Sequence, residues 1–130
     1  MNGENMKAII VGVEYYGMDY DLEESMRELE ALCQACDIEV KAQMIQKLDH
    51  IESATYIGTG KVNELKNLCD EDDLVIFNEE LSPLQVMNLG DLLGVDVRDR
   101  TDLILKIFES RAKTNEAKLQ VKIAKYQYLL

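Results

Sequence analysis

Residues 7–14, KAIIVGVE, form a nearly unbroken apolar run rich in β-branched side chains, the pattern of a strand buried on both faces. In residues 21–36 the period changes. Leu22, Met26, Leu29 and Leu32 recur at helical spacing, and Asp21 with Glu24 supplies an N-terminal cap pattern. Ile38, Val40, Ala42 and Met44 then alternate with polar residues over 38–45, which predicts a strand with one apolar face at a sheet edge. Residues 61–69 read as a short helix with Val62, Leu65 and Cys69 inward, and residues 73–77, DLVIF, as a third strand. Ser82-Pro83-Leu84-Gln85 combines a hydroxyl cap, a first-turn proline and a glutamine three residues after the cap. Leu84, Met87, Leu89 and Leu92 continue that helix, Gly94 suits a left-handed stop, and residues 95–99 make a fourth strand.

The alternation of strand and helix predicts an α/β unit over residues 1–100, with a four-stranded, mostly parallel sheet flanked by helices. From Thr101, read as a cap, the pattern is purely helical, with Leu103, Ile104, Ile107 and Phe108 inward. The helix is expected to restart near Thr114. Ala117, Val121, Ala124 and Tyr128 then form one apolar stripe, and Leu119, Ile123, Tyr126 and Leu130 a second. Residues 101–130 are thus expected to be a helical extension, the first half of an antiparallel pair whose partner follows residue 130. Without that partner, residues 115–130 are expected to fray, fold back or self-associate.

Length and composition narrow the class. A chain of 130 residues with 47% hydrophobic content fits one domain. No apolar run approaches the roughly 18 residues that suggest a membrane span, and the start, MNGENMK, has no basic region feeding an apolar segment. Three cysteines make no even disulfide framework, so a cytoplasmic location is expected. The net charge of −11 is unevenly spread: residues 1–97 hold 6 Lys/Arg against 21 Asp/Glu (−15), and residues 98–130 hold 8 against 4 (+4). An acidic body therefore carries a basic C-terminal arm, the place where a polyanion would bind.

Candidate chemistry is sparse. Gly58-Thr59-Gly60-Lys61 suggests a phosphate loop, but Thr55 stands where its first glycine belongs and Val62 where its magnesium-binding hydroxyl belongs. The turn is left as a helix start, a contact to RNA phosphate, or a weak nucleotide site. His50 is the single histidine, in a polar connection with no nucleophile pattern around it. Cys33 and Cys36 lie near a helix C-terminus, where the dipole opposes thiolate, so core packing is expected for them. The acidic run 70–73 reads as a soluble turn rather than a cation site, and no metal ligands are assigned. Tyr15, Tyr16 and Tyr20 crowd the first strand-to-helix loop, at the carboxyl edge of a parallel sheet where ligands of such folds bind.

Three stretches together resemble one family: YIGTGKVNEL, then VIFNEELSPLQVMNL, then DRTDLILKIFESRAKTNEAKLQVKIAKYQYLL. In order and spacing they are similar to the N-terminal domain of HflX-type, translation-associated GTPases, from about Lys7 to the last residue. The most specific parts are Gly58 to Lys61, Leu81-Ser82-Pro83 with Gln85 and Asn88, and Asp99-Arg100-Thr101 through Gln120. The resemblance implies an α/β subdomain, a helical pair and then a GTPase domain carrying GxxxxGK followed by Ser or Thr, DxxG and NKxD. None of these three motifs is expected in this stretch. This stretch alone is expected not to be an enzyme, and GTP with magnesium is expected only in the G domain. The implied partners are the large ribosomal subunit, its rRNA and the chain's own G domain, with a role in splitting or rescuing ribosomes. Cations expected to meet RNA are Lys61, Arg100, Arg111, Lys113, Lys118, Lys122 and Lys125; Arg100 and Arg111 have a second reading as structural ions paired with Asp99, Asp102 or Glu109. A protein-interaction or dimerisation module, and a small nucleotide-binding domain using residues 58–61, are the alternative functions.

Overall fold

A computed structural model describes residues 6–111 together with Ile123 and Gln127. The order is β1 (Met6–Tyr15), α1 (Leu22–Ala35), β2 (Ile38–Leu48), α2 (Thr59–Leu68), β3 (Leu74–Phe77), α3 (Pro83–Leu93), β4 (Asp96–Asp99) and α4 (Arg100–Arg111). The four strands make one sheet in the order β2-β1-β3-β4, with every pair parallel. An α/β fold with a flanked parallel sheet is therefore what the alternating sequence forms.

Successive residues of the central strands serve opposite layers. Ala8, Ile10, Leu74 and Ile76 pack with Leu22, Met26, Leu29 and Cys33 of α1 and Leu103 of α4. Ile9, Val11, Val75 and Phe77 pack on the other side with Val62 and Leu65 of α2 and Leu89 and Leu93 of α3. The continuous apolar runs at β1 and β3 follow from this double coverage. Gly12 serves close packing: a Cβ there would stand 2.7 Å from Met26 Sδ and 3.0 Å from Ile45 Cδ1.

β2 is an edge strand as expected, but its apolar residues do not share one face. Val40 pairs with Ala8 and Ala42 with Ile9, so Lys41 is an extra residue in the ladder. This bulge reverses the alternation. Ile38 and Val40 lie with the α1 layer, whereas Ala42 and Met44 lie with the α2–α3 layer.

α3 is rotated relative to its expected phase. Leu84, Met87 and Leu92 are exposed, at 52%, 57% and 47%, while Gln85, Leu89 and Leu93 are buried. Gln85 occupies an inward position because its amide is satisfied there. It accepts from Ser82 N at 2.8 Å and donates to Glu52 O at 2.9 Å. The helix boundaries themselves agree with the expectation, with Ser82 and Gln85 in a reciprocal capping box and Gly94 left-handed at φ 72°.

On α4, burial is confined to the first half, at Leu103 and Leu105; Ile104 and Ile107 are half-buried, and Phe108 is exposed rather than inward. Its cap is Asp99, whose Oδ1 accepts from Asp102 N at 3.0 Å; Thr101 lies within the helix. The stripes and the self-association expected for residues 115–130 lie outside the described residues, apart from Ile123 and Gln127.

Candidate functional site: the carboxyl edge of the sheet

β1 leads through α1 to β2 on one side, and β3 leads through α3 to β4 on the other. The connections therefore diverge between β1 and β3, which is where open parallel sheets form a ligand crevice. The N-termini of all four helices follow strand ends or loops at this carboxyl edge, and the first three are capped by Asp21, Gly58 and Ser82.

A polar network fills the divergence. Asn78, just after β3, donates from Nδ2 to Ser25 Oγ at 2.9 Å. Arg100 Nη1 donates to Asn78 Oδ1 at 3.0 Å, to Ser25 Oγ at 3.0 Å and to Ser25 O at 3.3 Å. Its Nη2 pairs with Glu28 Oε1 at 2.9 Å. Next to this, Tyr15 and Tyr20 both donate their hydroxyls to the carboxylate of Glu79. Burial, followed by that carboxylate, pushes both phenols above their ordinary range, so they remain protonated donors.

Two of the sequence motifs receive a structural account here. Gln85 and Asn88 hold the 49–57 loop by bonding Glu52 O and Ala54 O, at 2.9 Å and 3.0 Å. That loop inserts Tyr56 and Ile57 into the core, with the Tyr56 ring edge-on to Phe77 at 5.9 Å. Tyr56 adopts φ 66°, a left-handed conformation that costs a bulky residue about 1–2 kcal/mol and is held by this packing. The Gly58-Thr59-Gly60-Lys61 turn then opens α2. Gly58 is the cap, and its N–H donates to Gln46 Oε1 at 3.2 Å. Thr59 and Gly60 are exposed, and Lys61 reaches Glu64 at 3.2 Å.

Of the cations expected to meet RNA, Lys61 and Arg100 are therefore engaged in ion pairs within the body. Arg100 does pair structurally, with Glu28. Arg111 is exposed in the last turn of α4, roughly 16 Å along the helix from Arg100. Lys113, Lys118, Lys122 and Lys125 lie outside the described residues. Asp91-Leu92-Leu93-Gly94 spells DxxG, contrary to the expectation that the motif is missing, but it is the capped end of α3 and not a nucleotide-binding loop.

The remaining candidates are structural. Cys33 is buried and its thiol is pushed up to about 11 by burial, then by Cys36 and Glu30; burial raises Cys36 also. Among the described residues no group of three or more His, Cys, Asp or Glu is placed to hold a metal. In the acidic run, Asp70 and Asp73 both bind Lys41, the bulged residue of β2, with Asp70 at 2.8 Å. Burial pushes the Asp73 carboxyl up, but bonds from Lys41 and the Asp70 N–H outweigh it and leave it below the ordinary value of 3.8. Lys41 is raised above 10.5 by its bonds to Asp70 and Asp73. The carboxylate's contribution is present above its unfolded value and is lost as pH falls through its lowered folded value; the lysine's is lost only as pH rises through its raised folded value. The urea midpoint of the native protein should thus fall more steeply below about pH 4 than that of Asp73→Asn. Parallel curves for the two would contradict this assignment.

Among the residues of this candidate site, Ser25 and Glu28 are polar side chains with no periodic signature, and Asn78 and Glu79 lie in the family-like stretch VIFNEELSPLQVMNL with no role read for them there. The clustering of tyrosines in residues 15–20 is the one signal that pointed to this edge.

Comparison with known proteins gives a consistent result. A family model described as GTP-binding GTPase N-terminal matches residues 23–109. GTPase HflX of Alkalihalophilus pseudofirmus is 48% identical over 94% of this chain, and GTPase HflX of Caldanaerobacter subterraneus subsp. tengcongensis is 46% identical over 83%. The chain spans 29% and 26% of the lengths of these two relatives. A solved GTP-binding protein from Sulfolobus solfataricus, in complex with GDP, superposes with a TM-score of 0.69 at 28% identity, over 95% of this chain and 37% of that one. Among the described residues no helix is long and apolar enough to cross a membrane. With the family model covering the body from α1 into α4, and with relatives named GTPase HflX along nearly its whole length, the chain belongs to the GTP-binding GTPase N-terminal family, as an HflX-type N-terminal domain.

Proposed function

We propose that this chain is the ribosome- and rRNA-binding unit of a cytoplasmic HflX-type GTPase that acts on the large ribosomal subunit, in splitting or rescue. GTP and magnesium belong to a G domain, and the chain's own part is to bind and position. The carrying observation is the 48% identity to a GTPase HflX along 94% of the chain. The charge distribution supports it, since the basic arm beyond residue 97 is where phosphates are attracted. Lys61 and Arg100 join that surface only if their partners Glu64 and Glu28 release them, so the contact falls first on Arg111, Lys113, Lys118, Lys122 and Lys125.

Co-sedimentation with purified large subunits across a salt series tests this reading. Binding should weaken steeply with salt, and Lys118, Lys122 and Lys125→Glu together should remove about two to three units of the log–log slope. Unchanged binding by the triple variant would count against the arm.

The exposed Leu84, Met87 and Leu92 on α3 favour a second reading, a protein-docking face. Binding through it would be nearly indifferent to salt and abolished by Met87→Glu. A nucleotide site at the 58–61 turn is tested by titrating ATP and GTP against the native protein and Lys61→Ala; absence of saturable binding removes it.

A further inference from the structure

Residues 15–20 join β1 to α1 at the carboxyl edge, and half of them are tyrosines used in two different ways. Tyr15 and Tyr20 turn inward onto the single carboxylate of Glu79, at the end of β3. Tyr16, between them, is 95% exposed. Gly17 provides the reversal, at φ 87°, and Met18 N closes the turn on Tyr15 O at 3.3 Å. The loop is thus held at both ends while its remaining ring stands in solvent. A ring presented on a clamped loop loses little freedom when a ligand covers it.

Beside Tyr16 lies an open cleft of about 380 Å³ between the ends of β1 and β2, lined by Glu14, Tyr15, Tyr16, Lys47, Leu48 and Asp49. Its volume is in the range of small-ligand sites. Lys47 is 83% exposed and 3.5 Å from Glu14, so the two charges largely offset each other and Asp49 remains. Among the described residues, the other exposed large apolar side chains, such as Met87 and Phe108, belong to other elements, and Tyr16 forms no apolar patch with them suited to a protein partner. A flat, exposed π face suits the face of a base.

We propose that Tyr16 is a stacking platform for one unstacked RNA base, seated over the cleft between β1 and β2. The inference rests on the RNA-binding reading above and adds a contact on the acidic body, away from the basic arm. Stacking needs no positive field, which reconciles an RNA contact with the surrounding carboxylates.

Tyr16→Phe, Tyr16→Leu and Tyr16→Ala should be compared with native protein for binding to fluorescently labelled oligo-adenylate RNA and to purified large subunits. Because Tyr16 is exposed, the urea midpoints of all three should match the native value. Phenylalanine should bind within about twofold of native, whereas leucine and alanine should lose about 5- to 100-fold. The salt slope should change by less than one unit, and ultraviolet crosslinking should attach RNA at Tyr16. Native-like binding by Tyr16→Leu would identify a merely apolar contact and overturn the proposal. Native-like binding by all three variants, alongside loss on reversing the arm lysines, would overturn it while leaving the RNA-binding reading intact. Failure of the native chain to bind either RNA or subunit removes both.

Discussion

Asp99→Ala is expected to lower the unfolding free energy by about 2–4 kcal/mol, a large fraction of a small domain's stability. Asp99 is 1% exposed and closes two separate openings in the fold. Its Oδ2 accepts from Leu81 N at 2.8 Å, fixing the approach to α3, and its Oδ1 accepts from Asp102 N at 3.0 Å, capping α4. Alanine removes a helix cap, worth about 1 kcal/mol, and also strands a buried N–H, which costs about 1–3 kcal/mol. Asparagine retains one acceptor oxygen but turns an N–H₂ toward a donor, so Asp99→Asn should fall between native and alanine. Urea unfolding followed by far-ultraviolet circular dichroism measures the series. Equal midpoints for native and Asp99→Ala would show that these bonds contribute little.

Arg100→Ala should cost a similar amount, about 2–4 kcal/mol, by a different route. The guanidinium joins three elements: Ser25 and Glu28 of α1, Asn78 after β3, and α4, on which it sits. Asn78 is 4% exposed, so removing the arginine leaves its carbonyl oxygen without that donor in a site with little access to water. Lysine should not rescue the loss, because a single ammonium cannot reach Glu28 and the Ser25–Asn78 pair in the geometry of a planar fork. Hydrogen exchange adds a local readout: amides in the first turns of α4 should exchange faster in Arg100→Ala than those of β1 and β3. A uniform change would mean that Arg100 stabilises the body as a whole and does not specifically hold α4. The position of α4 bears on the proposed RNA contact, since the basic arm follows it in the sequence.

Element order and most helix limits were legible because they depend on local chemistry. The Ser82-Pro83-Gln85 start and the Gly94 stop of α3 are where the capping residues put them. The faces of those elements were less legible, because tertiary bonding decides them. Gln85 faces inward since two bonding partners wait there, and that single placement turns Leu84 and Met87 outward. The bulge at Lys41 is equally non-local: the residue is drawn toward Asp70 and Asp73, which lie about thirty positions later. At the candidate site, the aromatic cluster of residues 15–20 was visible, but its division into two anchors and one exposed ring depends on Glu79. Arg100 shows the same difficulty from the other side. Its charge left an RNA contact and a structural ion pair both open, and only its neighbours in space show the pair with Glu28.

The most direct test of the proposed role is to crosslink the chain to purified large ribosomal subunits and identify the attached residues and their partners. Crosslinks to rRNA from the cationic stretch between Arg111 and Lys125 are the predicted result. Attachment to ribosomal proteins alone through the Leu84–Met87 face of α3, or no attachment at all, would contradict it.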